Sequence, residues 1–434
     1  MSVDDPVYLA PEQLCVGVYV HLDLAWSEHP FTFSSFRIKN QEQIDTIRSL
    51  NLTRIRYSPG RSDPLPLPLA PVEAAPAQAA LAPDAPLMAV PVPAIEPLVP
   101  TPVVRWDRLA QFQDQMALCE KQLMQAARAV RALRRDLFAK PHEARGRAAE
   151  LVGHMADDML AAKEVSIHLM ADPSGAEQLY DHGLNVALMS MLLARELKAP
   201  RETILAVGEG GLFHDIGEME LPDLVVRKKE PLTQAERKLM QTHCRLGVSL
   251  AERLGLSSEV TQVIAQHHER VDGSGYPAQL KGPQVSLLSR IVAVVNAYDE
   301  LCNPADPARA LTPHEALSLL YGQQREAFDA GVMAAFVRCT GVYPPGTIVQ
   351  LNDGTLGMVV SVHSAKPLKP MVLIHDATVP RDQALVMDLA QASDVFVSKA
   401  LRPHHLSTEA RDYLSPRKRV TCYFSADHGA ESLA

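Results

Sequence analysis

The chain has 434 residues, 47% of them hydrophobic and 21% charged, which is an ordinary globular composition and a length sufficient for two to four domains. Its formal net charge of −9 argues against a nucleic-acid polymer as partner, and no apolar stretch reaches the roughly 18–20 residues of a membrane span. Six cysteines without C-x-x-C spacing, and an N-terminus without an apolar signal segment, predict a protein of the reducing cytoplasm.

Residues 1–60 predict a small α+β N-terminal module. Weakly alternating apolar residues over 15–20 predict a strand, as does the segment 53–57. Between these strands, apolar residues spaced on one helical face predict a helix over 41–50.

Residues 61–104 have a different composition. They hold twelve of the 33 prolines, with many alanines between them. Because proline interrupts both helices and sheet ladders, this composition predicts a Pro/Ala-rich linker with no fold of its own.

Residues 105–140 carry the pattern of one long amphipathic helix. Apolar side chains recur every three or four residues for four heptads: Leu109, Phe112, Met116, Cys119, Leu123, Ala126, Val130, Leu133 and Leu137. These residues form one apolar stripe along the helix, which we call the seam. Such a stripe is typical of a coiled coil that joins two chains in a homodimer. It also fits an amphipathic helix packed on its own domain, and Cys119 and Ala126 are poor coiled-coil side chains. Both interpretations therefore stay open.

Residues 141–340 predict a helical domain. Apolar periodicity indicates helices over 177–198, 201–213, 233–254, 259–269 and 286–302. Thr233 and Glu236 have the spacing of a capping box, which marks the start of the third of these helices.

The last segment, residues 341–434, predicts a small β-rich C-terminal module. Short apolar runs indicate strands over 347–351, 356–362, 372–374 and 395–397. Asn352-Asp353-Gly354 lies between the first two strands and has the composition of a hairpin turn.

The residues capable of metal chemistry cluster in the helical domain. They are His182, His214, Asp215, His243, His267 and His268. Imidazole suits Zn, Fe, Mn or Ni, and a carboxylate can bridge two ions, so five histidines and one aspartate suffice for a binuclear site. A single buried histidine is usually only a hydrogen-bonded core residue. The two adjacent pairs, His214-Asp215 and His267-His268, favour a metal centre instead.

A glycine-rich loop, Asp272-Gly273-Ser274-Gly275-Tyr276-Pro277, follows the last histidine pair. Glycines on both sides of a serine permit a tight turn, which can bring backbone N–H groups close to a phosphate. Taken alone, this loop indicates no more than a turn.

Together these segments strongly resemble the HD-GYP family, bacterial phosphodiesterases of the HD superfamily that hydrolyse cyclic di-GMP. The resemblance rests on His214-Asp215-Ile216-Gly217, His267-His268-Glu269 and the loop 272–277, and it covers about 175–340. It implies a mainly α fold, an HD-superfamily helical bundle, between the small α+β N-terminal module and the small β-rich C-terminal module. Residues 17–36 also look like the module that often precedes such domains.

The resemblance implies roles for individual residues. The metal ligands would be His182, His214, Asp215, His243, His267, His268 and Asn296, holding two divalent transition-metal ions whose identity as Fe, Mn or Zn stays open. Asp215 and Glu218 fall on catalytic positions. Substrate contacts would come from Gly275, Tyr276, Pro277 and Arg309, the last being the only basic residue within 303–310.

The sequence departs from the family pattern at several of these positions. Glu218 replaces a lysine that is thought to act near the scissile phosphate, so a carboxylate stands where the family has a cation. Asn296 replaces an aspartate ligand, and a neutral carbonyl oxygen is the weaker ligand. The arginine and lysine that hold ligand phosphates in some members lack clear equivalents here.

Two hypotheses from different classes follow. The first is a cyclic di-GMP phosphodiesterase of reduced activity, which produces pGpG, GMP or both. The second is a catalytically degenerate HD-GYP protein that senses cyclic di-GMP, or docks a partner such as a GGDEF diguanylate cyclase through the loop 272–277. Glu218 and Asn296 favour the second hypothesis. The six retained ligand positions and the intact Gly275-Tyr276-Pro277 favour the enzyme, which is the hypothesis we prefer.

Overall fold

The structure is a computed structural model of the 434-residue chain. It describes residues 7–22, 35–50, 52, 54–59, 62, 102–170, 181–392, 394–415 and 419–427. The chain forms two compact units, Met1–Asp107 and Arg108–Ala434. Within the described ranges, no helix combines the length and apolarity needed to cross a membrane.

In its described part, the first unit contains an antiparallel sheet and a helix of nine residues. Its elements are β1 (Val7–Leu9), β2 (Tyr19–His21), β3 (Ser35–Arg37), α1 (Gln41–Ser49) and β4 (Ile55–Tyr57), with the strands in the order β1-β4-β2-β3. Asn40 caps α1 by accepting a hydrogen bond from the Gln43 amide at 3.0 Å. The small α+β fold is therefore confirmed, with β2 starting later than predicted because Gly17, at φ +98°, turns the chain first. Residues 63–101, most of the predicted linker, lie outside the described residues.

The second unit is mainly helical, which confirms the predicted fold class. Its helices are α2 (Pro102–Asp136), α3 (Pro141–Ala161), α4 (His182–Glu196), α5 (Arg201–Phe213), α6 (Asp223–Val226), α7 (Gln234–Met240), α8 (His243–Leu254), α9 (Ser258–Gln266), α10 (Leu287–Cys302), α11 (Pro313–Ser318), α12 (Ala330–Thr340) and α13 (Thr408–Leu414). A 3₁₀ turn, Ile216–Glu220, follows α5. The helix α4 packs against α5 and α10, and α9 packs against α5 and α8.

The prediction of one helix over 233–254 is wrong, because α7 ends at Met240 and α8 begins at His243. The Thr242 hydroxyl donates to the Leu239 carbonyl at 2.6 Å, and the His243 ring bonds the Met240 carbonyl at 2.7 Å. In a continuous helix, the Leu239 and Met240 carbonyls would accept backbone N–H groups four residues later. Here they accept hydrogen bonds from side chains. The predicted capping box at the start of α7 is confirmed, with Glu236 accepting from the Thr233 amide at 2.7 Å.

The seam of α2 is buried within its own unit. Its members from residue 119 onward are at most 3% exposed: Cys119, Leu123, Ala126, Val130, Leu133 and Leu137. The Cys119 thiol contacts the Phe424 carbonyl at 3.5 Å, and Gln115 donates to the Ser425 hydroxyl at 2.8 Å. These contacts confirm the amphipathic helix packed on its own domain. The coiled-coil interpretation is wrong for this part of the seam, because the same side chains cannot also meet a second copy.

One antiparallel sheet completes the second unit. Its strands are β5 (Glu164–Leu169), β6 (Ile348–Leu351), β7 (Leu356–His363), β8 (Met371–Ile374), β9 (Val386–Asp388), β10 (Val397–Leu401) and β11 (Cys422–Asp427). The order is β10-β6-β7-β5-β11, and β8 joins β7 to β9. The hairpin turn at Asn352-Asp353-Gly354 is confirmed, with Gly354 at φ +88°. The strand predicted over 395–397 is displaced, since β10 begins only at Val397.

The sheet also takes a strand from the segment predicted to be helical. β5 pairs with both β7 and β11, and it buries Val165, Ile167 and Leu169. These three residues alternate with the period of a strand, but the run is only six residues long. The prediction that residues 141–340 are helical throughout is therefore wrong at β5.

Candidate metal centre

Five imidazoles converge in the second unit because helix ends meet there. His182 and His243 are the first residues of α4 and α8, whereas His214 and His267 directly follow α5 and α9. His214, His243 and His267 are each at most 1% exposed. His268 continues the chain beyond α9, where its ring stacks on Tyr276 with centroids 4.5 Å apart.

The carboxylate of Asp215 lies between two pairs of these rings. Its Oδ2 is 3.5 Å from His182 Nε2 and 3.1 Å from His214 Nε2. Its Oδ1 is 3.5 Å from His243 Nε2 and 3.4 Å from His267 Nε2. One carboxylate thus divides the imidazoles into two groups, an arrangement suited to a carboxylate that bridges two ions.

The Nδ1 hydrogen bonds of three rings direct their Nε2 atoms toward Asp215. The Nδ1 atoms of His214, His243 and His267 lie 2.7, 2.7 and 2.9 Å from backbone carbonyls, so each Nδ1 carries the proton. Facing Nε2 atoms then approach each other, at 3.1 Å between His182 and His214 and at 3.0 Å between His243 and His267. Burial also lowers the pKa of His267 to about 4, which keeps its ring neutral. Against burial, the Asp299 hydrogen bond and the Asp299 and Asp215 charges raise the pKa of His182 to about 10, so in the absence of a cation its Nε2 carries a second proton. A divalent cation at that point would replace this proton, and four imidazole nitrogens that converge on one carboxylate fit such a site.

Asp299 orients His182 and was missed by the sequence analysis. Its Oδ2 accepts a hydrogen bond from His182 Nδ1 at 2.6 Å, while its Oδ1 accepts from the Asn185 and Asn303 amides. A buried carboxylate on the outer nitrogen of a ligand histidine fixes the ring and raises its basicity. Asp299 stands one helical turn after Asn296 on α10, and its role depends on the packing of α10 against α4.

Asn296 is fully buried on α10. Its Nδ2 donates to Glu300 at 2.9 Å, and its Oδ1 accepts no hydrogen bond from the described residues. A buried acceptor without a donor is costly and calls for an explanation. A neutral oxygen ligand would account for it, and ligation by Asn296 stays a prediction.

Glu218 lies in the 3₁₀ turn after Asp215 and is half-buried. Burial first, and the Asp215 charge second, raise the pKa of Glu218 to about 8. The carboxyl is therefore mostly neutral at pH 7 in the metal-free protein, whereas cations bound at Asp215 would favour its ionised form.

Two cavities border the centre. The first, of about 350 Å³, is lined by His182, His214, Asp215 and Glu218 together with residues of α2 that include Arg134. The second, of about 710 Å³, is lined by His268, Arg270, Gly275 and Tyr276 and by the segment 322–327. Four predicted site residues thus line the first cavity, and three more, His268, Gly275 and Tyr276, line the second.

The loop 272–277 forms a turn that is held by internal hydrogen bonds. The Ser274 amide donates to Asp272 at 2.8 Å, and the Tyr276 amide donates to the His268 carbonyl at 3.2 Å. Buried Glu269 holds the chain beyond Pro277 by accepting two further amides, at 2.6 and 2.9 Å. These N–H groups are bonded inside the protein, so the loop is the turn that its composition indicated, and substrate contacts by Gly275, Tyr276 and Pro277 stay a prediction.

Arg309 lies away from both cavities. It is exposed on a short turn, Pro307–Arg309, and neither cavity lining includes it. The second cavity instead has Arg270, whose guanidinium lies 4.6 Å over the Phe328 ring. Arg270 directly follows His267-His268-Glu269, but no role was predicted for it from the sequence.

Three family models match consecutive parts of the chain. "Domain of unknown function (DUF3391)" matches residues 8–148, "HD domain" matches residues 147–332, and "KOW domain associated with HD domain" matches residues 348–409. The HD-domain match contains every histidine and aspartate of the centre.

Known proteins resemble the chain to different extents. Bd1817, an HDG"Y"P protein from Bdellovibrio bacteriovorus, superposes with a TM-score of 0.40 at 12% identity, covering 76% of this chain and 98% of its own. The response regulator RpfG of Xanthomonas campestris pv. campestris, a cyclic di-GMP phosphodiesterase, is 36% identical over 34% of this chain and 39% of its own. The cyclic di-GMP phosphodiesterase PA4108 of Pseudomonas aeruginosa is 30% identical over 386 residues, 88% of each chain. With this match over most of both chains, and with His214-Asp215 and Gly275-Tyr276-Pro277 in place, the chain belongs to the HD-GYP family of HD-domain proteins.

Proposed function

We propose that the protein is a metal-dependent phosphodiesterase that hydrolyses cyclic di-GMP to pGpG, GMP or both. The proposal rests on the position of Asp215. Each of its two carboxylate oxygens faces a separate pair of imidazole nitrogens. The names of the relatives PA4108 and RpfG support cyclic di-GMP as the substrate.

The centre would hold two divalent transition-metal ions. One group of ligands is His182, His214 and Asp215, and the other is Asp215, His243, His267 and His268. Histidine with carboxylate suits Fe, Mn or Zn. When bound, such ions lower the pKa of a water and stabilise the negative charge that develops on a phosphate.

The chain's own residues prepare this chemistry. Asp215 contacts both ligand groups and so fixes their relative position. Asp299 accepts a hydrogen bond from His182 Nδ1 and keeps His182 Nε2 directed into the centre. Glu218 lies beside Asp215, and in the metal-free protein burial raises its pKa to about 8. Two bound cations would favour its ionised form, which places a carboxylate where the family has a positive charge.

The test is metal content together with turnover. We expect purified protein to hold up to two transition-metal ions per chain and to hydrolyse cyclic di-GMP with Mn²⁺ or Fe²⁺. His214→Ala and Asp215→Ala should each lose most of the metal and the activity. His404→Ala is the matched control, because His404 is exposed and remote from both ligand groups. Equal, negligible metal in wild type and His214→Ala would overturn the proposal.

A second function is favoured by one observation, the Asn296 side chain at a ligand position. A protein that binds cyclic di-GMP without turnover would be a sensor, and calorimetric binding without product would identify it. Docking of a GGDEF diguanylate cyclase, homodimer formation and a cytoplasmic location stay predictions.

A further inference from the structure

The helix α2 forms a wall of the first cavity, beside the His182 half of the centre. Val130, Leu133 and Leu137 line this wall with apolar surface, and Arg134 is the charged residue among them. This part of α2 falls within the DUF3391 match and precedes the HD-domain match. A residue outside the HD-domain match therefore borders the metal ligands.

The Arg134 guanidinium lies over the first turn of α4. Its Nη1 is 3.3 Å from Asp181 Oδ2, and its Nη2 would lie 3.3 Å from a Cβ atom placed on Gly183. Asp181 uses its other oxygen to cap α4, accepting from the Leu184 amide at 3.0 Å. His182, the first residue of that helix, lies between these two neighbours in the chain.

Arg134 is free to exchange its partner for an anionic ligand. Its side chain is 50% exposed, and an ion pair in such a setting is weak. The other cation in the cavity lining, Arg227, is 79% exposed and pairs with Asp223 at 3.6 Å. Arg134 is therefore the less exposed of the two cations in this lining, and its ion-pair partner Asp181 directly precedes His182.

We propose that Arg134 is a substrate-binding residue that pairs with a phosphate of the cyclic dinucleotide in the first cavity. The planar guanidinium presents two parallel N–H donors to a phosphate, which a lysine cannot do. It would supply the positive charge that Glu218 and the remote Arg309 do not provide. This inference rests on the proposed function.

The test measures cyclic di-GMP affinity and kinetics on metal-loaded full-length variants. Arg134→Gln should weaken binding and raise KM by about 10- to 100-fold, the range for one charge-assisted hydrogen bond, with metal content unchanged. Arg134→Lys should recover part of the loss. Arg128→Gln is the matched control, because Arg128 is an exposed arginine of the same helix that does not line the cavity. Its affinity should equal that of wild type.

Asp181→Asn separates substrate binding from a structural role. Asparagine caps a helix as well as aspartate does, so this variant removes the ion pair and leaves α4 capped. Affinity at or above the wild-type level supports the proposal. A loss equal to that of Arg134→Gln would show that Arg134 acts through Asp181, and would overturn it.

The outcomes also separate this inference from the proposed function. Hydrolysis by wild type with unchanged KM and affinity in Arg134→Gln overturns the inference and leaves the function standing. Binding without hydrolysis, weakened in Arg134→Gln, overturns the function and supports the inference. Neither binding nor hydrolysis in wild type overturns both.

Discussion

Replacing Glu218 by lysine restores the residue type that the family has at this position. Glu218 lines the first cavity with His182, His214 and Asp215. Burial and the Asp215 charge raise its pKa to about 8 in the metal-free protein, but bound divalent cations would lower it and keep the carboxyl ionised at pH 7. In the metal-loaded enzyme the substitution therefore replaces a negative charge by a positive one.

The gain in rate follows from this charge difference. One preorganised donor aimed at developing negative charge is worth about 2.7–4 kcal/mol, or roughly 100- to 1,000-fold in rate. Burial disfavours the charged form of the new lysine, which lowers its pKa and removes part of that gain. We therefore expect Glu218→Lys to speed hydrolysis by about tenfold or more at pH 7, with metal content unchanged.

The assay is kcat and kcat/KM for cyclic di-GMP, with elemental analysis of the same samples. Glu218→Gln is the matched control, since it is neutral and of the same size, and its rate at pH 7 should lie between those of wild type and Glu218→Lys. If Glu218→Lys loses both metal and activity, Glu218 is a metal ligand and the electrostatic reasoning is wrong. Unchanged rate with unchanged metal would refute both roles and leave Glu218 a bystander.

Four further predictions follow from individual contacts. In metal-free protein the Glu218 carboxyl should titrate near pH 8, so metal affinity in chelator competition should rise with pH up to about 8 in wild type and rise less in Glu218→Gln. Asp299→Asn should weaken metal affinity about 10- to 100-fold in chelator competition, because the carboxylate that orients a ligand is lost. Gly217→Ala should lower the Tm, since its Cβ would overlap a backbone carbonyl, whereas Gly153→Ala in open space on α3 should raise stability by about 1 kcal/mol. Leu123→Ala should cost about 2–5 kcal/mol in denaturant unfolding without changing the sedimentation mass, and a changed mass would restore the dimer interpretation of α2.

The centre was predictable to the extent that its ligands are adjacent in the sequence. His214-Asp215 and His267-His268 carry their chemistry in neighbouring positions, and the structure brings both pairs to one point. Asp299 and Arg134 could not be predicted in the same way. Their roles depend on how α10 and α2 pack beside α4, and a single sequence does not contain that contact.

The helices show where periodicity is informative and where local chemistry overrides it. α5 begins and ends as predicted, because its apolar spacing is uninterrupted. The helix breaks between α7 and α8 because the Thr242 and His243 side chains bond to backbone carbonyls. The spacing of apolar residues gives no information on such hydrogen bonds. The strand β5 was also not predicted, because it is short and its pairing partners β7 and β11 lie far away in the sequence.

The ends of three helices explain why the ligands are already ordered within the protein itself. The last carbonyls of a helix lack intrahelical partners. His214, His243 and His267 each use Nδ1 to satisfy the carbonyl three residues earlier, near the ends of α5, α7 and α9. One hydrogen bond thus satisfies an orphan carbonyl, fixes the ring tautomer and aims Nε2 at Asp215. Because helix termination and ligand orientation depend on the same bond, the donor set is held in place by the fold and does not need a metal to assemble it.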